Sequence, residues 1–256
     1  MRRWIPSVVL GLPLTAFFVA TRIPYPPERL APVASASLVL TDDGRVLRAG
    51  RASWVPLDRV APVVIQATLA GEDHRFYDHD GVDGGAFVRA AWLTMRHGRL
   101  MSGGSTITMQ LARLVQPHPK TLRGKLGEIL DACRIERALT KEQILEQYLN
   151  RAYYGNGAWG IEDAARRYFG KPAAALSAGE ATFLAVLPRA PLGYDPYKHR
   201  AEALARRAHV LDLMEKRGYL DGVSRAAAES DPIVLTTQLR GASADDFAWL
   251  ELWGVP

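Results

Sequence analysis

Cysteine is nearly absent from this sequence, which has one, Cys133, among 256 residues. A single thiol excludes an intramolecular disulfide framework and any metal site built from several cysteines. Hydrophobic residues make up 48% of the chain and charged residues 23%, which excludes a disordered or low-complexity chain. The length is enough to bury a sizeable core in one domain, with room for a small appendage.

Acidic residues are missing from one long stretch, which contains no Asp or Glu between Gly84 and Gly127. The formal net charge of the chain is +5, and only six of its 32 basic residues are Lys. Arg matches the geometry of phosphate, and Lys acts beside it as a point charge. The stretch therefore predicts either a solvated basic face or a groove for an anion. Its basic residues are Arg89, Arg96, Arg99, Arg113, Lys120, Arg123 and Lys125.

Charges are also absent from Trp4 to Ala20, seventeen residues that follow Arg2 and Arg3. As a helix they would cover about 25 Å, slightly less than a hydrocarbon core of about 30 Å. The basic flank favours an amino terminus on the cytoplasmic side. We predict an uncleaved transmembrane anchor, with a cleaved signal peptide and a buried core helix as the alternatives.

The predicted organisation follows from composition along the chain. Residues 1–23 form the transmembrane segment, and residues 24–36, with four prolines, form a stiff and extended spacer. Residues 37–230 form the folded domain and residues 231–256 a tail.

The folded part predicts a mainly α fold with a small β-hairpin. Asp43-Gly44, between two short apolar runs at 37–40 and 45–48, is typical of a hairpin turn. Helical periodicity dominates afterwards. Two capping boxes, Thr140 to Gln143 and Ser177 to Glu180, mark helix starts, and Gly170 marks a helix end. The predicted helices cover 62–69, 85–97, 121–139, 140–150, 160–169, 177–188 and 200–217.

Three polar patterns are candidates for chemistry. Glu72 and Asp73 begin a dense polar run after an apolar helix, which indicates either a general acid/base site or a solvated helix end. Ser105 or Thr106 follows two glycines as a helix N-cap, where free N–H groups favour anions, although a simple capped turn has the same pattern. Lys125 and Glu128 are neighbours on one helical face, as in an ordinary surface ion pair.

Several catalytic motifs are missing from these 256 residues. They contain no Ser-x-x-Lys, the acylating motif of penicillin-binding transpeptidase domains, so we predict no transpeptidase activity. They also contain no Gly-x-Ser-x-Gly, no Rossmann glycine pattern and no zinc-type cluster.

Together the patterns resemble glycosyltransferase family 51, the peptidoglycan polymerase domain of class A penicillin-binding proteins and of monofunctional transglycosylases. The resemblance covers roughly residues 56–214. Met109, Gly124 and Gly127 depart from the common pattern and resemble the type C class A proteins. A missing basic residue at Gly124 predicts a weaker hold on a diphosphate, for which Arg123 would compensate. The five ordered motifs are Glu72-Asp73-His74-Arg75-Phe76 with His79, Gly81 and Asp83; Gly104 to Gln110; Lys125-x-x-Glu128 with Ala132 and Ile135-Glu136; Lys141 to Asn150; and Arg207 to Met214.

The resemblance implies a lysozyme-like helical fold and an inverting polymerisation of lipid II into β-1,4-linked glycan strands with release of undecaprenyl diphosphate. It implies that Glu72 is the general base and that Glu128 is the second catalytic glutamate. The substrate-binding residues that follow from it are Asp73, His79, Ser105, Thr106, Gln110, Arg113, Arg123, Lys125 and Arg134. It implies no required cofactor and allows a divalent cation, Mg or Mn.

The resemblance also implies a location and partners. The domain would lie on the extracytoplasmic side of the cytoplasmic membrane, and its partners would be lipid II, the growing glycan chain and cell-wall synthases. The predicted anchor argues against nucleic acid. Two alternatives stay open: a lysozyme-like lytic enzyme, which would cut a neutral linkage without a diphosphate, and a non-catalytic scaffold that binds lipid II or a synthase.

Overall fold

The structure is a computed structural model that describes residues 18–32, 37–40, 46–50, 54–97 and 104–236. It is mainly helical, as predicted. Among the described residues, short 3₁₀ turns lie at Leu57–Arg59, Phe76–Asp78, Ala173–Ala175 and Leu187–Arg189. The elements are α1 (Pro27–Leu30), β1 (Ser37–Leu40), β2 (Val46–Gly50), α2 (Pro62–Glu72), α3 (Gly84–His97), α4 (Ile107–Val115), α5 (Leu122–Ala138), α6 (Lys141–Arg151), α7 (Ile161–Phe169), α8 (Ala178–Val186), α9 (Arg200–Lys216) and α10 (Gly222–Ser230).

The predicted helix signals are confirmed at three places. The Thr140 hydroxyl accepts a hydrogen bond from the Gln143 N–H at 3.3 Å, and the Gln143 side chain accepts one from the Thr140 N–H at 2.9 Å. Ser177 and Glu180 form the same reciprocal pair at the start of α8. Gly170 ends α7 in the left-handed conformation, with φ of 70°.

Two predictions about local structure were wrong, and one helix was missed. The helix predicted to end at residue 69 continues to Glu72, and the Asp73 N–H donates to the Leu69 carbonyl at its end. Helix α10 was not predicted, although Asp221 caps it by accepting from the Ser224 N–H. The spacer predicted to be extended contains the one-turn helix α1, which begins at Pro27, a residue suited to a first helical position.

Strands β1 and β2 pair antiparallel, with Ser37 opposite Gly50 and Val39 opposite Arg48. The register shifts between Val39 and Leu40. The predicted Asp43-Gly44 turn lies outside the described residues.

The chain divides into two compact units. The first unit comprises residues 1–31 and 76–144, and the second comprises residues 32–75 and 145–256. The second unit carries Glu72 at the end of α2, and the first unit carries the acid-free stretch.

In the second unit, α2, α8 and α9 pack around a small apolar core. The α2 alanines Ala67 and Ala70 meet Val186 of α8 and the α9 residues Val210 and Met214. Arg217, the residue after α9, donates to the Ala70 carbonyl and so fixes the end of α2. These contacts set where Glu72, the last residue of α2, leaves the core.

The segment before α2 is held by two side chains of α6. The Asn150 amide accepts from the Val55 N–H at 2.8 Å and donates to the Val55 carbonyl at 2.9 Å. The Glu146 carboxylate accepts from the Trp54 indole and from the Leu57 N–H, each at 2.9 Å. These two residues of the fourth motif therefore have a structural role.

In the first unit, the loop between α4 and α5 passes very close to α5. A Cβ atom built on Gly124 would lie 1.9 Å from the Pro119 carbonyl oxygen, and one on Gly127 would lie 2.7 Å from Nδ1 of His118. Glycine at 124 and 127 therefore leaves room for this approach, because a Cβ at either position would come too close to the loop.

The predicted transmembrane anchor falls on residues 1–23, of which 1–17 lie outside the described residues. Within the described ranges, no helix combines the length and the apolar character that a membrane span requires.

Replacing Gly124 by Ala tests the close approach. Alanine favours a helix interior by about 1 kcal/mol over glycine, but overpacking costs about 1–3 kcal/mol. With a Cβ only 1.9 Å from a backbone oxygen, we expect the steric cost to exceed the gain. Thermal unfolding should show a lower melting temperature. Gly84→Ala is the matched control, since its Cβ meets nothing within 4 Å; equal melting temperatures in the two variants would contradict the packing.

Candidate functional site

A buried carboxylate with cations on both oxygens lies within the first unit. Glu128 is only 7% exposed. Its Oε2 accepts from Lys125 Nζ at 2.8 Å, and its Oε1 lies 3.9 Å from Arg113 Nη1. Lys125 Nζ also donates to the Ser105 hydroxyl at 3.0 Å. We call Ser105, Arg113, Lys125 and Glu128 the lysine cluster.

Thr106 fixes the start of α4 and so places Ser105. The Thr106 hydroxyl accepts from the Met109 N–H at 3.1 Å and donates to the Gly81 carbonyl at 2.6 Å. It is buried, so its oxygen serves the helix cap, as its N-cap position predicted. Gly81 itself has φ of +90°, and a Cβ there would lie 3.0 Å from the backbone of Ala132 on α5.

The cations of the lysine cluster differ in how well they reach solvent. The Arg113 side chain is 48% exposed and the Lys125 side chain 32%, whereas the Glu128 side chain is 9% exposed. Two partly exposed cations above a buried carboxylate leave a net positive surface, because one negative charge cannot neutralise both. Such a surface can bind an anion through charge-assisted hydrogen bonds.

Glu72 lies in the second unit, half-buried at the carboxyl end of α2. One arginine of the same unit, Arg206, interacts with it electrostatically. Burial lowers the pKa of the Arg206 guanidinium and the nearby Arg189 lowers it further, whereas the Glu72 carboxylate acts in the opposite direction. Glu72 therefore lies within electrostatic range of Arg206. Asp73, which ends α2, is buried.

The other predicted site residues of the first unit lie in different surroundings. His79 is half-buried, with its ring 6.3 Å from that of Phe76, and its carbonyl accepts from Lys141 Nζ at 2.6 Å. Gln110 is half-buried in the first turns of α4. Arg123 is exposed at the start of α5, beside Gly124.

Arg134, predicted to bind substrate, is engaged by the protein. Its Nη1 donates to Asp131 at 3.1 Å, its Nε to the Ile23 carbonyl at 2.8 Å and its Nη2 to the Pro24 carbonyl at 2.7 Å. The guanidinium also lies 5.3 Å from the ring centroid of Tyr25. The structure therefore does not bring Arg134 into the lysine cluster.

Two groups escaped the sequence analysis. His118 and Asp131 are joined by a hydrogen bond of 3.0 Å, and both are largely buried in the first unit. Two glycines three residues apart on a predicted helix, Gly124 and Gly127, were a signal for close backbone approach. Arg206 lies next to a residue of the fifth motif, but helical periodicity alone does not tell that it faces Glu72.

The chemistry of these donors does not fit a divalent cation at Glu128. Each oxygen of that carboxylate already faces a cation, Lys125 or Arg113. Within the part of the chain that the structure describes, no three His, Cys, Asp or Glu side chains are grouped to hold a metal ion. The divalent cation that the resemblance allows stays a prediction, and no step of the proposed reaction passes through a metal.

Replacing Lys125 by Ala should destabilise the protein. The change leaves the buried Glu128 carboxylate with Arg113 at 3.9 Å, and a lost charge-assisted bond to a buried group costs about 2 kcal/mol. Denaturant unfolding should show this loss. In the Glu128→Gln background the same substitution should cost much less, because no buried charge is left behind; equal costs in both backgrounds would contradict the pairing.

Known proteins resemble this chain over most of its length. Residues 42–215 match the family model described as Transglycosylase. Penicillin-binding protein 1A of Aquifex aeolicus is 43% identical over 76% of this chain and 27% of its own length. Penicillin-binding protein 1C of Escherichia coli is 40% identical over 82% of this chain and 28% of its own. The crystal structure of penicillin-binding protein 1A from Haemophilus influenzae matches 79% of this chain and 21% of that one, with 24% identity and a TM-score of 0.47.

The chain thus spans about a quarter of the length of the curated relatives it matches. The family match contains both Glu72 and the whole of the lysine cluster. The chain belongs to the transglycosylase family, glycosyltransferase family 51, whose domain is found in class A penicillin-binding proteins.

Proposed function

We propose that this protein is a peptidoglycan glycosyltransferase that polymerises lipid II into β-1,4-linked glycan strands and releases undecaprenyl diphosphate. The observation that carries the proposal is the lysine cluster, a net positive surface inside a stretch of sequence without acids. Family membership supplies the reaction class. The substrate and the roles of individual residues are our inference.

In the proposed reaction, Glu72 is the general base. Its carboxylate takes the proton of the acceptor GlcNAc 4-hydroxyl while that oxygen attacks C1 of the donor MurNAc. A new C1–O bond forms, and the bond from C1 to the diphosphate oxygen breaks with its electron pair on the leaving group. The anomeric configuration inverts from α in the donor to β in the product.

The departing diphosphate gains negative charge as the glycosidic bond breaks, and cations at fixed positions lower the energy of that transition state. We assign Lys125 and Arg113 to this role, because both are cationic and partly exposed. Glu128 holds them in place, since its buried oxygens face both groups. Arg123, exposed one residue before Gly124, is the further cation that the sequence suggested.

The proposal places the protein at the extracytoplasmic face of the cytoplasmic membrane. Large apolar side chains on the described surface of the first unit support this location, and Trp92 among them has the Arg96 guanidinium 5.3 Å from its ring. Apolar and basic groups together are typical of a membrane interface. The exposed side chains are Phe18, Val19, Ile23, Tyr77, Val88, Trp92, Leu122 and Leu126. The anchor at residues 1–23 remains a prediction.

Glu72→Gln should abolish polymerisation of lipid II. The amide keeps the size of the side chain but cannot accept the acceptor's proton, so we expect binding of lipid II and the melting temperature to change little. The measurement is glycan strand formation from lipid II by the detergent-solubilised protein. Glu142→Gln, an exposed carboxylate in the first turn of α6, is the control. If the Glu72→Gln variant still polymerised lipid II, the assignment of Glu72 as the general base would be wrong.

Lys125→Ala should slow polymerisation even under conditions where the variant is fully folded. Loss of one cation from the leaving-group site should lower the rate about 100-fold, the range measured when one charge-stabilising donor is removed. The test is the initial rate at a temperature where the variant is fully folded. An unchanged rate would place the diphosphate elsewhere.

Product analysis separates the alternatives. A lytic enzyme would shorten glycan strands and leave lipid II intact, whereas a scaffold would bind lipid II without consuming it.

A further inference from the structure

The helix that carries Lys125 and Glu128, α5, is in close contact with the loop that precedes it. The proposed reaction does not explain this contact. His118 and Pro119 lie directly on α5, at the two positions where α5 has glycine. Glycine inside a helix costs about 1 kcal/mol relative to alanine, so two of them in the first two turns weaken α5. The two glycines make room for the close approach of the loop.

A chain of hydrogen bonds fixes the loop after this contact. His118 Nε2 lies 3.0 Å from Asp131 Oδ2, and the other oxygen of Asp131 accepts from Arg134 Nη1 at 3.1 Å. The three side chains are 14%, 6% and 16% exposed. Since a buried carboxylate needs a donor for each oxygen, Asp131 depends on both neighbours.

The same chain of hydrogen bonds reaches residues 21–24, where the predicted anchor ends. Arg134 donates to the carbonyls of Ile23 and Pro24, and Arg137, one turn later on α5, donates to the Thr21 carbonyl at 2.9 Å. Residues 21–24 are therefore attached to the second half of α5. Lys125 lies in its first half, between the two glycines.

We propose that His118 and Asp131 are positioning residues for diphosphate binding: they hold the loop on the glycine positions of α5, which fixes Lys125 and ties the lysine cluster to residues 21–24. Residues 21–24 end the predicted anchor, so this link sets how far the cations stand from the membrane that carries a lipid-linked diphosphate. This inference rests on the proposed function for its substrate, but the positioning itself can be measured without turnover.

Two substitutions of His118 separate the hydrogen bond from the volume of the ring. His118→Gln retains a nitrogen donor at about the distance of Nε2, and His118→Met fills similar space without a donor. We expect His118→Met to weaken binding of inorganic pyrophosphate about tenfold, in the range for a lost hydrogen bond to a charged group. We expect His118→Gln to bind pyrophosphate as the wild type does.

Polymerisation kinetics supply a second readout. His118→Met should lower kcat/KM for lipid II about tenfold, because Lys125 is no longer held where the leaving diphosphate gains charge, and His118→Gln should keep the wild-type value. Amide hydrogen exchange over residues 116–128 should be faster in His118→Met than in His118→Gln. Asp212→Asn, which removes a surface ion pair of the second unit, should change none of these quantities.

Each outcome has a definite meaning. Pyrophosphate affinity that is unchanged in His118→Met, equally reduced in both His118 variants, or absent in the wild type would overturn the positioning role. Failure of the wild type to polymerise lipid II would overturn the proposed function alone, provided that pyrophosphate binding still distinguishes Met from Gln at this position.

Discussion

The lysine cluster of the first unit depends on the Lys125 amino group, which donates to two acceptors at once. Lys125 donates both to the Ser105 hydroxyl and to the buried Glu128 carboxylate, so it joins the start of α4 to α5. A buried carboxylate without that partner would be costly, which makes the pair a structural requirement as well as a source of positive charge. Stability and the proposed anion binding therefore use the same side chain.

The close approach of the α4–α5 loop gives a steric reason for glycine at positions 124 and 127. At Gly124 any side chain would meet the Pro119 carbonyl, and at Gly127 it would meet the His118 ring. The sequence alone suggested a weaker hold on diphosphate at this place. At this place the structure shows a close backbone contact beside Lys125, and His118 joins the same loop to Asp131.

Features encoded within a few residues could be predicted from the sequence. The capping boxes at Thr140 and Ser177 and the glycine at 170 are local, and the structure confirms them. Features that depend on partners distant in sequence could not. Arg134 was expected at the substrate, but the carbonyls it binds lie more than 100 residues away along the chain. Glu72 and the Arg206 guanidinium that interacts with it lie on α2 and α9, which are far apart in the sequence.

The central claim is that the chain joins sugar units with loss of a diphosphate. The most direct test is to incubate the wild-type protein with lipid II in lipid vesicles and to follow substrate, glycan length and released undecaprenyl diphosphate together. The account predicts that lipid II is consumed, that β-1,4-linked strands lengthen and that one diphosphate is released for each bond formed. Shortening of added glycan strands with lipid II untouched would contradict it.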